Sequence, residues 1–262
     1  TLRRLSKAFD GFFRRVRAGE TPRYPRFQSR SRFNSVTFVF GDGIHLVSGR
    51  LKVQSVGAIK VKLHREIPSD AEIKQVVIKR KGDLWYAHFL LELPEPTPEP
   101  HTGNQVGIDL GLIHFAALSD GETVEAPRHF RQSERVLRVQ QRRVSRRKKS
   151  SHGCRKARQL VSKTHERIAN RRKDFTHKLS TRLAEEFSLI ALEDLNVKGL
   201  SRSMLAKSVN DAAWSQFVNQ LKYKVQQTGA ELVFVDPRYT SQVCSSCGCL
   251  VPKGLSIRIH DC

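Results

Sequence analysis

Residues 94–105 read PEPTPEPHTGNQ, with prolines at 94, 96, 98 and 100. Each proline removes a backbone N–H and fixes φ. Neither a helix nor an inner strand can run through such a stretch. The chain therefore has to fold as separate parts on either side, and a domain boundary is placed here. With 262 residues in all, each part is long enough for its own core.

Before the linker the pattern is that of short strands. SVTFVF, GIHLVSG, RLKVQSV, AIKVKLH, IKQVVIKRKG and DLWYAHFLLEL are separated by Gly and Asp turn signals. About six strands with such short links predict a small barrel over residues 25–97. Lys52, Lys60, Lys62, Lys79, Arg80 and Lys81 give it a basic face, which suits nucleic acid but also an ordinary solvated sheet. Further upstream, Leu5, Phe9, Phe12 and Val16 mark one helical stripe over residues 3–17, and the two prolines of TPRYPRF then break the helix. Arg23, Tyr24, Arg26 and Phe27 interleave cations with rings, a pattern fit for base stacking and phosphate contact or for a Pro-rich turn with snorkelling arginines.

After the linker the order is strand, strand, strand, basic helices, strand, helix, strand. Residues 106–126 supply the first three strands, with a turn at SDGE. Residues 130–186 predict two long helices in a hairpin, broken at SSHG, the second with a core stripe of Ile168, Phe175, Leu179 and Leu183. FSLIALEDL reads as a buried strand, residues 211–229 as an amphipathic helix closed by Gly229, and AELVFVD as the last strand. This order is that of an α/β, RNase H-like domain over residues 104–240.

Charge narrows the partners. Lys and Arg number 47 against 25 Asp and Glu, a formal net charge of +22. A surplus of that size calls for a polyanion, with nucleic acid the first expectation. Between Arg128 and Arg182 there are twenty Lys or Arg and three acids. Repulsion along these helices is costly unless phosphates supply counter-charge, which singles out Arg142, Arg143, Arg146, Arg147, Arg171, Arg172 and Lys173. No apolar run reaches the roughly 18 residues of a spanning helix, and no secretion signal opens the chain, so no membrane partner is expected.

Two carboxylates carry candidate chemistry. Asp109 lies between Ile108 and Leu110 in an apolar strand, with Gly107 and Gly111 nearby. A carboxylate there is costly unless it is paired or meets a cation, and the glycines permit close approach of a ligand. Glu193 ends the later strand LIALEDL. If the two strands are neighbours, both acids face one spot and suit a hard divalent cation, Mg²⁺ or Mn²⁺, for phosphodiester hydrolysis. A structural Asp and a helix-capping Glu-Asp pair remain the alternatives. Asp194 would point to the opposite face from Glu193.

Five cysteines, four of them within the last nineteen residues, argue for a reduced cytosolic protein with a metal site. Cys244-Ser-Ser-Cys247-Gly248 has zinc-knuckle spacing, and Cys262 follows at a reach suited to a second knuckle. Residues 241–262 are thus expected to form a partial zinc ribbon holding Zn²⁺ through Cys244, Cys247 and Cys262. Cys249 is a less favoured fourth ligand, and Cys154 a bystander.

Several blocks in this order resemble one family. GIDLGLIHFAALSDG, HERIANRRKDFTHKLS, LIALEDLNVKGL, WSQFVNQLKYKVQQTGAELVFVDPRYTSQVCSSCG and LSIRIHDC are similar to the TnpB/OrfB proteins of insertion sequences, relatives of miniature type V CRISPR effectors and Fanzors. The resemblance implies an RNA-guided DNA endonuclease with one RuvC site, in which Asp109 and Glu193 are carboxylates for Mg²⁺. It implies guide RNA from the transposon end and target double-stranded DNA as partners, a monomeric protein, and a bacterial or archaeal cytoplasm near the nucleoid. Residues 1–24 would end a helical recognition region, residues 25–97 would be the wedge, and the basic helices would line the heteroduplex channel. A further zinc cysteine and a third RuvC Asp would follow Cys262, and more recognition sequence would precede residue 1. The competing expectations are an RNA-guided DNA-binding protein that does not cut, and a zinc-ribbon accessory of transposition.

Overall fold

A computed structural model describes residues 2–27, 29, 32–94, 98–238, 242–244 and 247–251. The chain divides into two compact units, residues 1–95 and 96–262.

In the first unit, α1 (Leu2–Arg17) places arginines in its last turn, where cations favour the helix dipole. It ends at Gly19, whose φ of 69° only glycine adopts freely. None of its side chains is buried, and Tyr24 beyond it stacks on Phe12 at 4.6 Å. Two three-stranded antiparallel sheets follow. One joins β1 (Ser35–Val39), β5 (Glu72–Lys81) and β6 (Leu84–Glu92), with β5 central. The other joins β2 (Ile44–Val47), β3 (Arg50–Val53) and β4 (Gly57–Lys60), with β3 central. Ile44, Leu51 and Val53 of the second sheet meet Val76 of the first in one small core.

This corrects the expected barrel. Closure requires every strand to be hydrogen-bonded on both sides, whereas β1, β6, β2 and β4 are all sheet edges. Three of the strands are only four residues long. Such strands pair into hairpins and bury one face, but are too short to stagger around a ring.

The second unit is built on a five-stranded sheet in the order β11-β10-β7-β8-β9. β7 (Asn104–Leu110), β8 (His114–Leu118) and β9 (Thr123–Glu125) run antiparallel, while β10 (Phe187–Glu193) and β11 (Glu231–Val235) extend the sheet in parallel beside β7. An α/β arrangement is therefore present, and the element order is the one read after the linker. α2 (His129–Ser145) and the 35-residue α3 (His152–Glu186) precede β10. α4 (Val197–Leu200), α5 (Ala206–Ala212) and α6 (Trp214–Thr228) precede β11.

One face of this sheet carries the core. Val106, Ile108, Leu110, Ile190 and Leu192 pack with Leu179 and Leu183 of α3 and Phe217 and Leu221 of α6. Phe115 sits between Phe175 and Phe217, edge-on to both at 4.9 and 5.3 Å, a favoured aromatic geometry. Burial of Ile168, Leu179 and Leu183 matches the stripe read in the sequence.

Two further expectations are corrected. The helix expected from residue 211 starts at Trp214, because Ala213 takes a left-handed φ of 61° and separates α5 from α6. The expected zinc ribbon is not found either. The described residues near the C-terminus form a small hairpin with one antiparallel bridge, Val243 to Leu250. The Gly248 N–H donates to the Cys244 carbonyl at 2.9 Å, with Gly248 at φ 72°. No second knuckle appears among the described residues. Cys262 lies outside them.

Candidate active site

The parallel ladder decides the geometry of the acids. Ala191 pairs with Gly107, and Leu192 with Ile108. Asp109 and Glu193 are the next residues on these two strands. Strand geometry therefore sets them side by side, their backbones about 5 Å apart. Ile108 and Leu192 are buried in the helix-covered core, at 4% and 0% exposure. Side chains alternate along a strand, so Asp109 and Glu193 share the opposite, uncovered face. Asp109 is exposed and Glu193 half-buried.

Around Asp109 that face is paved with small residues. Gly107 and Ala191 pair with each other one step back, and Ala117 pairs with Asp109 from β8. A Cβ on Gly107 would find Ser119 at 3.7 Å and little else. The Ser119 hydroxyl already accepts the Gly107 N–H at 3.0 Å. The result is a shallow floor with two adjacent carboxylates rising from it. Hard oxygen donors with open space between them suit a divalent cation such as Mg²⁺. The sequence drew attention to the glycines but not to the alanines. Their role depends on register, which a single strand does not reveal.

Glu193 also borders a cleft of ≈ 470 Å³ at the strand ends, with Leu110, Lys198, Ser215, Asn219 and Phe234 among its walls. Asp194 lies one step further on, and its N–H donates to the Val235 carbonyl at 2.9 Å. Among the described residues no group of three or more His, Cys, Asp or Glu side chains is placed to hold a metal ion.

The cationic candidates separate into two kinds. Arg142, Arg143, Arg146 and Arg147 are exposed at the end of α2 and just beyond it, and Arg171 and Lys173 are exposed on α3. Arg23 and Arg26 are exposed as well, flanking Tyr24, which is 73% exposed while stacked on Phe12. Arg172 differs. Its guanidinium pairs with the buried Asp211 carboxylate at 3.2 Å. Asp211 also accepts the Phe130 and Arg131 N–H groups, at 2.8 and 3.2 Å. It therefore caps α2 from a distant helix, since the N-cap Arg128 makes no side-chain cap of its own. Nothing local to Arg172 in the sequence distinguishes this from a phosphate contact.

Comparison with known proteins places the chain in a family. Residues 88–204 match the family described as probable transposase (OrfB_IS605), and residues 214–262 match the Cas12f1-like TNB domain. The "Putative RNA-guided DNA endonuclease" of Streptomyces pristinaespiralis is 35% identical over all of this chain and 65% of its own length. The "Putative RNA-guided DNA endonuclease InsQ" of Escherichia coli (strain K12) is 28% identical, covering 95% of this chain and 64% of the relative. The "CRISPR-associated endodeoxyribonuclease Cas12f1" of Sulfoacidibacillus thermotolerans is 24% identical over 73% of this chain and 49% of the relative. The chain thus spans less than two-thirds of the length of each of these relatives. With two family matches in sequence order and a relative similar along its whole extent, the chain belongs to the TnpB/OrfB–Cas12f/Fanzor family of transposon-encoded RNA-guided nucleases.

Proposed function

We propose that this chain carries the cutting site of an RNA-guided DNA endonuclease, with Asp109 and Glu193 gripping a divalent cation against the scissile phosphodiester. The observation that carries the reading is the register that seats the two carboxylates on adjacent parallel strands, one step past the Ile108–Leu192 pair.

Asp109 and Glu193 would hold Mg²⁺ or Mn²⁺ through their oxygens. A bound cation supplies Lewis acidity to the phosphodiester and lowers the pKa of the attacking water. The chain's own residues do the rest. The rigid strand pair fixes the spacing of the carboxylates. The Gly107–Ala191–Ala117 floor leaves room for a phosphate, and the exposed arginines of α2 and α3 attract the polyanion. Guide RNA and target double-stranded DNA are the partners proposed, in a bacterial or archaeal cytoplasm. No helix among the described residues is long and apolar enough to cross a membrane.

The test is cleavage of a plasmid target by the protein loaded with guide RNA in Mg²⁺. Asp109→Ala should cut at least about a hundredfold more slowly, since it removes a direct metal ligand rather than an outer-sphere one. Equal cutting by both proteins removes the assignment. A separate proposal is Zn²⁺ binding by Cys244 and Cys247. Elemental analysis should find zinc in the intact protein and a reduced amount after Cys244→Ser; zinc-free wild type ends it.

A further inference from the structure

Both glycines that flank Asp109 are held from β8, but by different means. Gly111 is held main chain to main chain, its N–H donating to the Phe115 carbonyl at 3.1 Å. Gly107 lies opposite Ser119, one step past the Ile108–Leu118 pair. In a hydrogen-bonded antiparallel pair the two facing residues exchange two main-chain bonds. Here only one is of that kind: the Ser119 N–H donates to the Gly107 carbonyl at 2.9 Å. The Gly107 N–H goes instead to the Ser119 hydroxyl at 3.0 Å. The chain leaves the strand at this point, where the Gly121 N–H closes a turn on the Leu118 carbonyl at 3.0 Å. The hydroxyl thus stands where the Ser119 carbonyl would be if the strand ran on.

We propose that Ser119 is a positioning residue of the cutting site: its hydroxyl clamps β7 at Gly107 and so keeps the Asp109 carboxylate level with Glu193. This rests on the cutting-site reading above. Two carboxylates grip one cation only while their spacing is held. A glycine within a strand has no side chain to pack, which weakens the strand at that point. On the β10 side Gly107 is in register with Ala191. Both of its main-chain polar groups are turned to β8, however, so β10 cannot take over the bond. Asp109 is two residues further on and on the same face. Slack at Gly107 therefore reaches its carboxylate, while the buried Ile108 and Leu110 keep the strand folded. Ser119 itself is exposed, so its side chain contributes this bond and little packing.

Three variants of the full chain test it. Ser119→Ala removes the acceptor and Ser119→Thr keeps it. Asp120→Ala breaks a different bond of the same turn, the one its carboxylate accepts from the Glu122 N–H at 2.9 Å, which does not reach β7. With guide RNA and a plasmid target, Ser119→Ala should lower kcat about tenfold with KM unchanged, as loss of a partner behind a metal ligand does. Ser119→Thr should restore most of the rate, and Asp120→Ala should cut like wild type. Without guide or target, amide exchange at Gly107 should quicken in Ser119→Ala and not in Asp120→Ala. Mn²⁺ titrated into the Ser119→Ala protein and followed by its EPR signal should bind about tenfold more weakly. An unchanged Mn²⁺ affinity, a raised KM at unchanged kcat, or an equal loss of rate in Ser119→Thr or in Asp120→Ala overturns the inference. Asp109→Ala tells this failure from that of the cutting site. If Asp109→Ala is inactive and Ser119→Ala cuts like wild type, only the clamp is wrong; if Asp109→Ala still cuts, the cutting site falls and the clamp with it.

Discussion

At the scale of single residues, His129 is the side chain most out of balance. Both of its ring nitrogens are buried without a hydrogen-bond partner, and the ring lies edge-on to Phe175 at 6.4 Å. Burial pushes its pKa below the usual imidazole value, and the nearby Arg171 and Arg172 push the same way against Asp211 and Asp174. The unfolded chain therefore binds the proton at a higher pH than the folded one. Stability from this residue is complete above the unfolded value, roughly pH 6.5, and is lost as pH falls below it. His129→Leu should raise stability by about 1 kcal/mol, because it removes an unsatisfied buried polar group, and should flatten the stability profile between about pH 5 and 7. Urea unfolding across that range checks both, and a variant whose stability still falls as steeply with acid rules out His129 as the cause. The adjacency of Asp109 and Glu193, proposed above to hold a cation, was legible at this scale because acids in apolar strands are rare enough to stand out. The imbalance at His129 was not, since it arises from neighbours brought in by α3 and α5.

Among the elements, α2 depends on a cap that its own sequence does not supply. Arg128 sits at a left-handed φ of 47° before the helix, and Asp211 of α5 supplies the missing acceptor. Asp211→Ala would leave two N–H groups and the partly buried Arg172 guanidinium without this carboxylate, at a cost of about 3–5 kcal/mol. Asp211→Asn keeps one acceptor oxygen and should cost less. Hydrogen exchange at Phe130 and Arg131 should accelerate in the alanine variant ahead of the rest of α2; uniform protection would show that the cap is dispensable. A similar staple joins α6 to α3. The Lys224 ammonium donates to the His177 carbonyl at 2.6 Å and the Ser180 hydroxyl at 2.8 Å, and burial pulls its pKa down. Helices and strands were legible wherever periodicity ran unbroken, as in the Ile168–Leu183 stripe. They were missed where one residue's backbone breaks the run. Residues 211–213 read as the start of one helix, but Asp211 and Ala212 end α5, and Ala213, at a left-handed φ of 61°, separates them from α6. The barrel failed for a related reason: alternation reveals strands, while closure depends on edges that no single strand encodes.

For the whole molecule, the decisive quantity is the formal charge of +22. Such a field attracts any nucleic acid, so affinity alone says little about the site. Salt dependence says more, because each phosphate neutralised releases counterions and steepens the fall of log K with log salt by about 0.9 for duplex DNA. The exposed Arg142, Arg143, Arg146 and Arg147 form one cluster where α2 ends. If all four contact phosphates, replacing them with serine should lower the slope by about 3 to 4, while leaving the thermal unfolding of the free protein nearly unchanged, since none is buried. Arg172 is the internal control. Its guanidinium serves Asp211, so Arg172→Ser should lower stability and leave the salt slope of the remaining folded protein almost intact. Binding titrations between 50 and 300 mM salt would separate the two groups. A slope that falls equally for the four-residue variant and for Arg172→Ser would mean that the charge acts as a diffuse field, with no arginine cluster reading the backbone.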